Sequence, residues 1–525
     1  MAMRRRQQRI LDGSIYERIN VSGAVRTPRL VEPIRPVLQR PGPQPARDLA
    51  IPATLSAIEH ITQVNFTALP AFVKPSADRR LLERTVAARC AIGCSTSSIT
   101  SALANVFFAV GAHRPVDTSY LSSAFRRLPK SMTTSTRAPS SIMVHRVGDA
   151  WIMDHLSTPA SPARRILMDL GKSLEHKLTM EHDDYVKLVL KNASQVETKD
   201  SRFETWFESF AFTQIGTIMV RSQLDCSDPD LPGPHQTFDL KTRAVLPIRH
   251  NLATYEQHLE YDLESMEGEF NSFEREVYDL SRTVMLKYSM QVRLGRMNGV
   301  LVAYHNTNRF FGFEYISLER MDEILVGDTR TANRLFDISF KLLERTLTEI
   351  LNDFSSEPAM KLTFRAPAKM PGSLQVFVEL DPPAIEQLSE QDLIAKLNEF
   401  GVSMPGASVG ALLTRYDECL REEDPAFKQT YEILPLYEKA AQGKLFLYEM
   451  FATHLVNGHD IQHRHELLNL KSARKDLTTV YQFGPHHEQG PLSVAREYWY
   501  ALKEGERPES NEPKLFMYPD KGYKR

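Results

Sequence analysis

Two aspartates and a lysine are the residues of this chain best suited to chemistry. Asp225 follows a short β-branched and apolar run, Thr217–Leu224, and Asp239-Leu240-Lys241 lies inside a second, Thr237–Val245. Alternate side chains of a strand share a face. Ile218, Val220, Ser222 and Leu224 therefore oppose Met219, Arg221, Gln223 and Asp225, and Phe238, Leu240, Thr242 and Ala244 oppose Asp239, Lys241 and Arg243. If the two strands are neighbours, Arg221, Gln223, Asp225, Asp239, Lys241 and Arg243 gather on one surface. Two carboxylates are hard oxygen ligands suited to Mg2+ or Mn2+, and the peptide oxygen of Leu240 adds a third. Such an ion lowers the pKa of a bound water and offsets negative charge on a phosphodiester. Lys241 would orient that water or shield the developing charge. The competing reading is a solvated face with cross-strand ion pairs, each worth roughly 0.2–1 kcal/mol. Acid-x-Lys occurs four times, at Glu175/Lys177, Glu197/Lys199, Asp239/Lys241 and Glu512/Lys514. Only Asp239/Lys241 lies in a strand pattern and follows another strand ending in Asp.

The elements that must position these residues are legible as changes of period. Ile166, Leu170, Leu174 and Leu178 recur every four residues and predict a helix over 163–190. Phe207–Ile215, Thr217–Leu224 and Thr237–Val245 read as strands, the last two joined by a Pro/Gly/Asp loop. A long helical pattern over 273–297 stops at Asn298-Gly299, a plausible cap. Strands over 299–305 and 310–318, a helix over 330–354 and a hairpin over 360–380 turning near Pro371-Gly372 follow. Residues 383–470 read as helical again. Five regions result: a basic Pro-rich arm over 1–48, a mainly helical region over 49–160, a core over 161–325, a mixed α+β region over 326–502 and a polar tail over 503–525.

Composition sets outer bounds. The chain has 525 residues, and Lys+Arg 64 against Asp+Glu 66 leaves a net charge of −2, so any nucleic-acid site is a local patch. No apolar run reaches the roughly 20 residues that span a bilayer; Ala102–Ala112 fits a buried helix instead. Four cysteines are too few for a disulfide framework and point to a reducing compartment. Residues 1–48 hold ten Arg, no Lys and only four acids. That composition fits either a mitochondrial transit segment or a disordered basic arm.

The arrangement resembles the PD-(D/E)XK nuclease superfamily, whose core runs helix, three strands, helix, strand. The blocks LGKSLEHKLT (170–179), MVRSQLDCSDPDLPG (219–233), FDLKTRA (238–244), FEREVYDL (273–280), LKYSMQVRLGRMNG (286–299) and VAYHNTNRFFGFEYISLE (302–319) resemble more closely a fungal mitochondrial mRNA 5′-end processing family known from petite mutants. The resemblance implies an α/β, restriction-endonuclease-like αβββαβ core with a helical N-terminal and a mixed C-terminal extension. It gives Asp225 and Asp239 the metal-binding carboxylates and Lys241 the lysine. Glu175, beside Leu174 at the border of the apolar stripe, matches the acid on the first helix. Related exonucleases carry Gln-x-x-x-Tyr on the second helix; here Tyr288 and Gln291 stand in the reverse order. The family implies an Mg2+- or Mn2+-dependent exoribonuclease trimming single-stranded RNA 5′ ends in the 5′-to-3′ direction. It places the protein in the mitochondrial matrix, with peripheral attachment to the inner membrane, beside the phage-type mitochondrial RNA polymerase. Direction needs a terminal-phosphate pocket, for which Arg221, Arg243, Arg249 and His250 are candidates and Arg293 and Arg296 weaker ones; Gln223, Tyr288 and Gln291 are further RNA contacts. Two rival readings share these residues: a non-catalytic RNA-binding adaptor on the polymerase, and a DNA repair nuclease.

Other motifs carry less. Gly171-Lys172-Ser173 ends like a phosphate loop, but position 166 is Ile where such a loop needs Gly. Cys90 and Cys94 have no matching second pair for zinc. The cluster His454, His459, His463, His465, His486 and His487 reads first as a wet polar surface, and Phe310, Phe311, Phe313 and Tyr315 as β core rather than a base-stacking platform.

Overall fold

Runs of period two and runs of period near 3.6 become strands and helices in the computed structural model. It describes residues 72–156, 162–191, 209–250, 265–380, 425–461, 476–486 and 490–504, with shorter stretches between 8 and 69 and between 256 and 263, and residue 470. The elements run β1 (Arg9–Ile10), β2 (Arg18–Asn20), α1 (Arg79–Ala87), β3 (Ile92–Ser95), α2 (Thr96–Val110), β4 (Ser140–Val147), β5 (Ala150–His155), α3 (Pro162–Thr179), α4 (His182–Val189), β6 (Phe210–Ile215), β7 (Ile218–Gln223), β8 (Cys226–Ser227), β9 (Thr237–Ala244), α5 (Leu246–His250), α6 (Phe273–Thr283), α7 (Met285–Gly295), β10 (Gly299–His305), β11 (Phe310–Ser317), α8 (Leu318–Val326) and α9 (Thr329–Asp353). Then come β12 (Ala359–Arg365), β13 (Ser373–Leu380), α10 (Pro425–Ala441), β14 (Leu445–Val456), β15 (His459–Asp460), β16 (Leu477–Pro485) and α11 (Pro491–Glu504). The expected α/β class holds, and so does the chain order helix, three strands, helix, strand over α3, β6, β7, β9, α6–α7 and β10.

Two sheets carry the molecule. The larger runs β1-β16-β14-β13-β12-β4-β5-β3-β7-β6-β2, and the smaller β11-β10-β9-β8. In the larger sheet β3 is parallel to both β5 and β7. In the smaller, β9 is parallel to β10, which pairs antiparallel with β11. The larger sheet cannot lie flat. Its eleven-strand path would span roughly 48 Å at strand spacing, while Ile10 and Arg18 on its opposite edges are eight residues apart, at most about 29 Å of chain. The sheet therefore curls, and α2, with thirteen of its fifteen residues buried, lies in the curl beside α9. The N-terminal strap packs on one face of α9, pairing Arg9 with Glu349, Tyr16 with Glu344 and Arg18 with Asp337.

Several expectations change. Residues 9–10 and 18–20 of the anticipated loose arm are strands, because Leu11 and Tyr16 join the main apolar core. The region 49–160 is not mainly helical: β4 and β5 form a hairpin about Gly148, whose φ of 63° suits the turn. The helix over 163–190 breaks at Glu181, where Asp183 and Asp184 favour a new helix N-terminus. The helix over 273–297 breaks at Val284. It ends on Arg296 in the left-handed region, not on Asn298-Gly299. Gly299 is needed for packing, since a Cβ there would sit 2.5 Å from the Ile316 carbonyl oxygen. Residues 445–456 form a twelve-residue strand, held between β13 and β16, in place of the expected helix. Residues 381–424 lie outside the described residues. Among the described residues no helix is long and apolar enough to cross a membrane.

Candidate active site

The chain crosses from one sheet to the other at Asp225. β7 belongs to the larger sheet, between β3 and β6. After a two-residue link, Leu224-Asp225, β8 pairs with β9 in the smaller sheet, through Cys226↔Phe238 and Ser227↔Thr237. Beyond Phe238 the main-chain partner is gone, and β9 presents an open edge. The Asp225 side chain fills the vacated ladder position: its Oδ2 accepts the Leu240 N–H at 3.1 Å. A residue's N–H and C=O project to the same side of its strand, so the Leu240 carbonyl faces this edge as well.

One face of β9 is apolar and seats α3. Phe238 and Leu240, with Leu301 and Ala303 of β10, pack against Leu170, Leu174 and Leu178. Each such leucine contributes roughly 1.5–3 kcal/mol on burial. The helix comes close because residue 171 is glycine: a Cβ there would lie 3.2 Å from Thr242 Oγ1. One turn on, Glu175 stands at the stripe's border and reaches the open edge of β9. The other face of β9 carries Asp239, Lys241 and Arg243 under α6 and α7.

Four expected residues thus come together. Lys241 Nζ lies 2.7 Å from Asp239 Oδ1 and 3.6 Å from Asp225 Oδ2, with the Tyr288 ring centroid 5.8 Å away. The Asp239 and Asp225 side chains are only 6% and 12% exposed. Burial pushes the Asp225 carboxyl well above its ordinary value, with Asp239 and Glu175 adding to the push and Lys241 opposing it. Burial likewise raises Glu175 to about 7, and Asp239 again adds to it. Burial acts to lower the Lys241 ammonium, but Asp239, Asp225 and Glu175 outweigh it and hold the group well above its usual range.

The donor set fits a divalent cation. Three carboxylates crowd around the Lys241 ammonium, and Asp239 and Glu175 both push the Asp225 carboxyl upward, a crowding that a cation would relieve. Asp239 Oδ2 is buried with no hydrogen-bond partner, a costly state that a cation would relieve. Asp225, Asp239 and Glu175, with the Leu240 carbonyl, are the oxygens that would hold it. Among the described residues no group of three or more acids, histidines or cysteines is arranged to hold a metal ion as it stands; Lys241 occupies the space between the two aspartates.

The other expected residues are placed differently. β7 and β9 lie in different sheets, so the single six-residue charged surface does not form. Arg221 is buried and pairs with Asp78, donates to the Val73 carbonyl at 2.7 Å and stacks on Phe210. Gln223 is exposed at the end of β7 and His250 at the end of α5. Arg243 and Arg249 are not spare phosphate donors: both bond Asp279, at 2.7 and 2.6 Å, and Arg249 bonds Glu276 at 2.8 Å. Arg293 is buried against Asp322, and Arg296 closes α7. Tyr288 faces Lys241, and Gln291 follows it by almost one turn of α7. His454 is a buried structural group, bonded to Thr479 and the Val110 carbonyl, and His463, His465 and His487 lie outside the described residues. Cys90, Cys94 and Cys226 are buried thiols. Sequence reasoning missed Gly171 as the close approach that admits Glu175, although its spacing of four from that residue is visible. It also missed Glu276 and Asp279, whose signal is an acid pair on the buried side of FEREVYDL.

A family model described as "Mitochondrial protein Pet127" matches residues 72–352, more than half of the chain. The mitochondrial mRNA degradation protein pet127 of Schizosaccharomyces pombe is 34% identical over 297 residues, covering 56% of each chain. PET127 of Saccharomyces cerevisiae is 34% identical over 262 residues, 49% of this chain and 30% of that one. The match thus spans about half the fission-yeast relative and less than a third of the budding-yeast one. Among solved structures, Candida albicans Rai1 in complex with pU5-Mn2+ has a TM-score of 0.32 at 12% identity, over 67% of this chain and 87% of that one. K. lactis Dxo1 in complex with manganese has a TM-score of 0.30 at 9% identity, over 69% and 95%. Both global likenesses are too low to carry residues across. With over half of its length inside the family model, the chain belongs to the Pet127 family of mitochondrial proteins.

Proposed function

We propose that this protein is a divalent-metal-dependent ribonuclease that hydrolyses RNA phosphodiester bonds from a 5′ end. The observation that carries the reading is the convergence of Asp225, Asp239 and Lys241 at the open edge of β9, with Glu175 behind them and one Asp239 oxygen left buried and unpaired. Asp225, Asp239, Glu175 and the Leu240 carbonyl are the ligands proposed for Mg2+ or Mn2+. Bound there, the ion supplies a more acidic water and positive charge beside the phosphate. Lys241 then holds the attacking water by hydrogen bond and offsets charge on the phosphoryl oxygens. Tyr288 walls the site against Lys241 and orients the incoming nucleotide, with Gln291 further along the same helix. Gln223 and His250, both exposed, remain proposed RNA contacts; the ion-paired Arg221, Arg243 and Arg249 support the fold in this reading. RNA as the substrate is supported by the name of the fission-yeast relative, a protein of mRNA degradation. The 5′-to-3′ direction, the tie to a phage-type mitochondrial RNA polymerase and attachment to the inner membrane rest on the family resemblance.

The test is 5′-monophosphate RNA labelled at either end, with Mg2+, Mn2+ or EDTA. Mononucleotide release from the 5′ end that stops with EDTA, and in Asp239→Asn and Lys241→Ala proteins that remain folded, is the expected result. Parent-rate cutting by both variants removes the assignment. Two observations favour a second reading, a non-catalytic RNA-binding adaptor: Lys241 already partners both aspartates, and no group of three acids, histidines or cysteines among the described residues is arranged to hold a metal ion. Retardation of RNA in a gel without any cutting would select it. Matched RNA and DNA strands in competition separate the ribonuclease from a DNA nuclease. Co-purification with the polymerase checks the partner.

A further inference from the structure

We propose that residues 28–31, in the segment expected to be a loose basic arm, are a positioning clamp that sets Glu175 against Asp225. This rests on the reading of those carboxylates as metal ligands. The two acids come from different elements, Glu175 from α3 and Asp225 from the turn before β8, and a shared ion needs their oxygens held to a fraction of an ångström. α3 is seated on β9 by side chains, through the Leu170, Leu174 and Leu178 stripe, and comes closest at Gly171 and Thr242, one turn before Glu175. Residues 28–31 add a main-chain tie about one turn after Glu175: the Val31 N–H donates to the Leu178 carbonyl at 3.2 Å.

The same four residues hold the other acid. The Pro28 carbonyl accepts the Ser227 N–H at 2.7 Å and the Ser227 hydroxyl at 3.2 Å. Arg29 forms a parallel bridge with Ser227, two residues beyond Asp225. Between these ties Leu30 packs into the cluster shared by Leu170, Leu174, Leu178, Cys226 and Phe238. One short extended segment thus touches α3 on one side and β8 on the other. Covering the β8 edge would need only the second contact; the bond to α3 is what a clamp adds.

Val31→Pro deletes the N–H given to Leu178, and Val31→Ala keeps that N–H while trimming the side chain that lines the small cavity beside Leu55 and Tyr185. Mn2+ is titrated calorimetrically into the full chain, beside thermal unfolding and RNA cutting. Expected for V31P are an unfolding midpoint near the parent's, Mn2+ affinity weakened about ten-fold, as for loss of a group that orients metal ligands, and cutting rescued by excess Mn2+. V31A should match the parent. A folded V31P that binds Mn2+ as tightly as the parent overturns the clamp and leaves the nuclease reading intact. A parent that binds no Mn2+ overturns both. If V31P does not fold, Ser227→Ala carries the test, since it removes one neutral hydrogen bond to Pro28. About three-fold weaker Mn2+ binding is then expected, and unchanged affinity overturns the clamp.

Discussion

Two charged clusters sit on one face of β9, two residues apart, and differ in their charge balance. Arg243 and Arg249 face Glu276 and Asp279, two cations against two anions. Glu276 Oε1 also accepts the Leu246 N–H at 2.6 Å. Opposing charges hold the Asp279 carboxyl below its ordinary value, against the pull of burial. At the neighbouring fork, where Asp225, Asp239 and Glu175 meet at the open edge of β9, Lys241 is the main counter-charge, with Lys172 adding to it at Glu175, and burial with mutual repulsion raises Asp225 instead. A buried network that cancels its own charge fixes the fold. One that does not is a standing cost, kept where a ligand can cancel it.

The comparison breaks most easily at the fork. Asp225→Asn removes one of three crowded carboxylates, so activity should fall at least ~100-fold, beyond the loss of an outer-shell partner. Thermal stability should hold or rise, because a carboxyl raised by burial is penalised in the fold at neutral pH. Lost stability together with retained cutting would remove the distinction between the clusters. Glu276→Gln should do the reverse. It leaves two buried guanidiniums with one counter-charge, a change that costs about 3–5 kcal/mol. Urea unfolding should report that loss, while cutting per folded molecule stays near the parent's.

The two clusters were unequally legible in the sequence. Asp239 and Lys241 stand out because period-two alternation is local and survives folding. Glu175 was legible as a charge at the edge of a leucine stripe. The union of both strands into one surface was not, because sheet membership is decided by tertiary pairing: β7 finds β3 and β6, and β9 finds β10. Arg243 and Arg249 look like phosphate contacts until their partners are known, and Glu276 and Asp279 lie about thirty residues downstream on another element. The N-terminal segment misleads for the opposite reason. Its arginines and prolines suggest disorder, yet Leu11, Tyr16 and Leu30 each find apolar neighbours. In β14, the acid Glu449 and the histidine His454 hide a period-two run, and both are buried in the structure.

Another acid, on the same face of the smaller sheet as Lys241, sharpens the contrast, and its effect is the smallest. Glu314 lies on β11, opposite Val302, which in turn stands opposite Lys241. Among the described residues its hydrogen-bond partner is neutral, the Tyr304 hydroxyl, which donates to Oε2 at 2.7 Å. Burial raises Glu314 from 4.5 to about 7, with the Tyr304 bond and Arg320 opposing it. The folded state therefore holds a proton that the unfolded state has released between pH 4.5 and about 7. Stability is full below that window, falls as pH rises through it and levels off above. The drop is on the order of 3 kcal/mol, at about 1.4 kcal/mol per pKa unit. Unfolding midpoints of the parent and of Glu314→Gln across pH 4 to 8 should diverge over that interval, the variant showing the flatter profile. Parallel profiles would mean that a lone buried acid on this face is as well compensated as Asp279, and that charge imbalance does not by itself single out the fork.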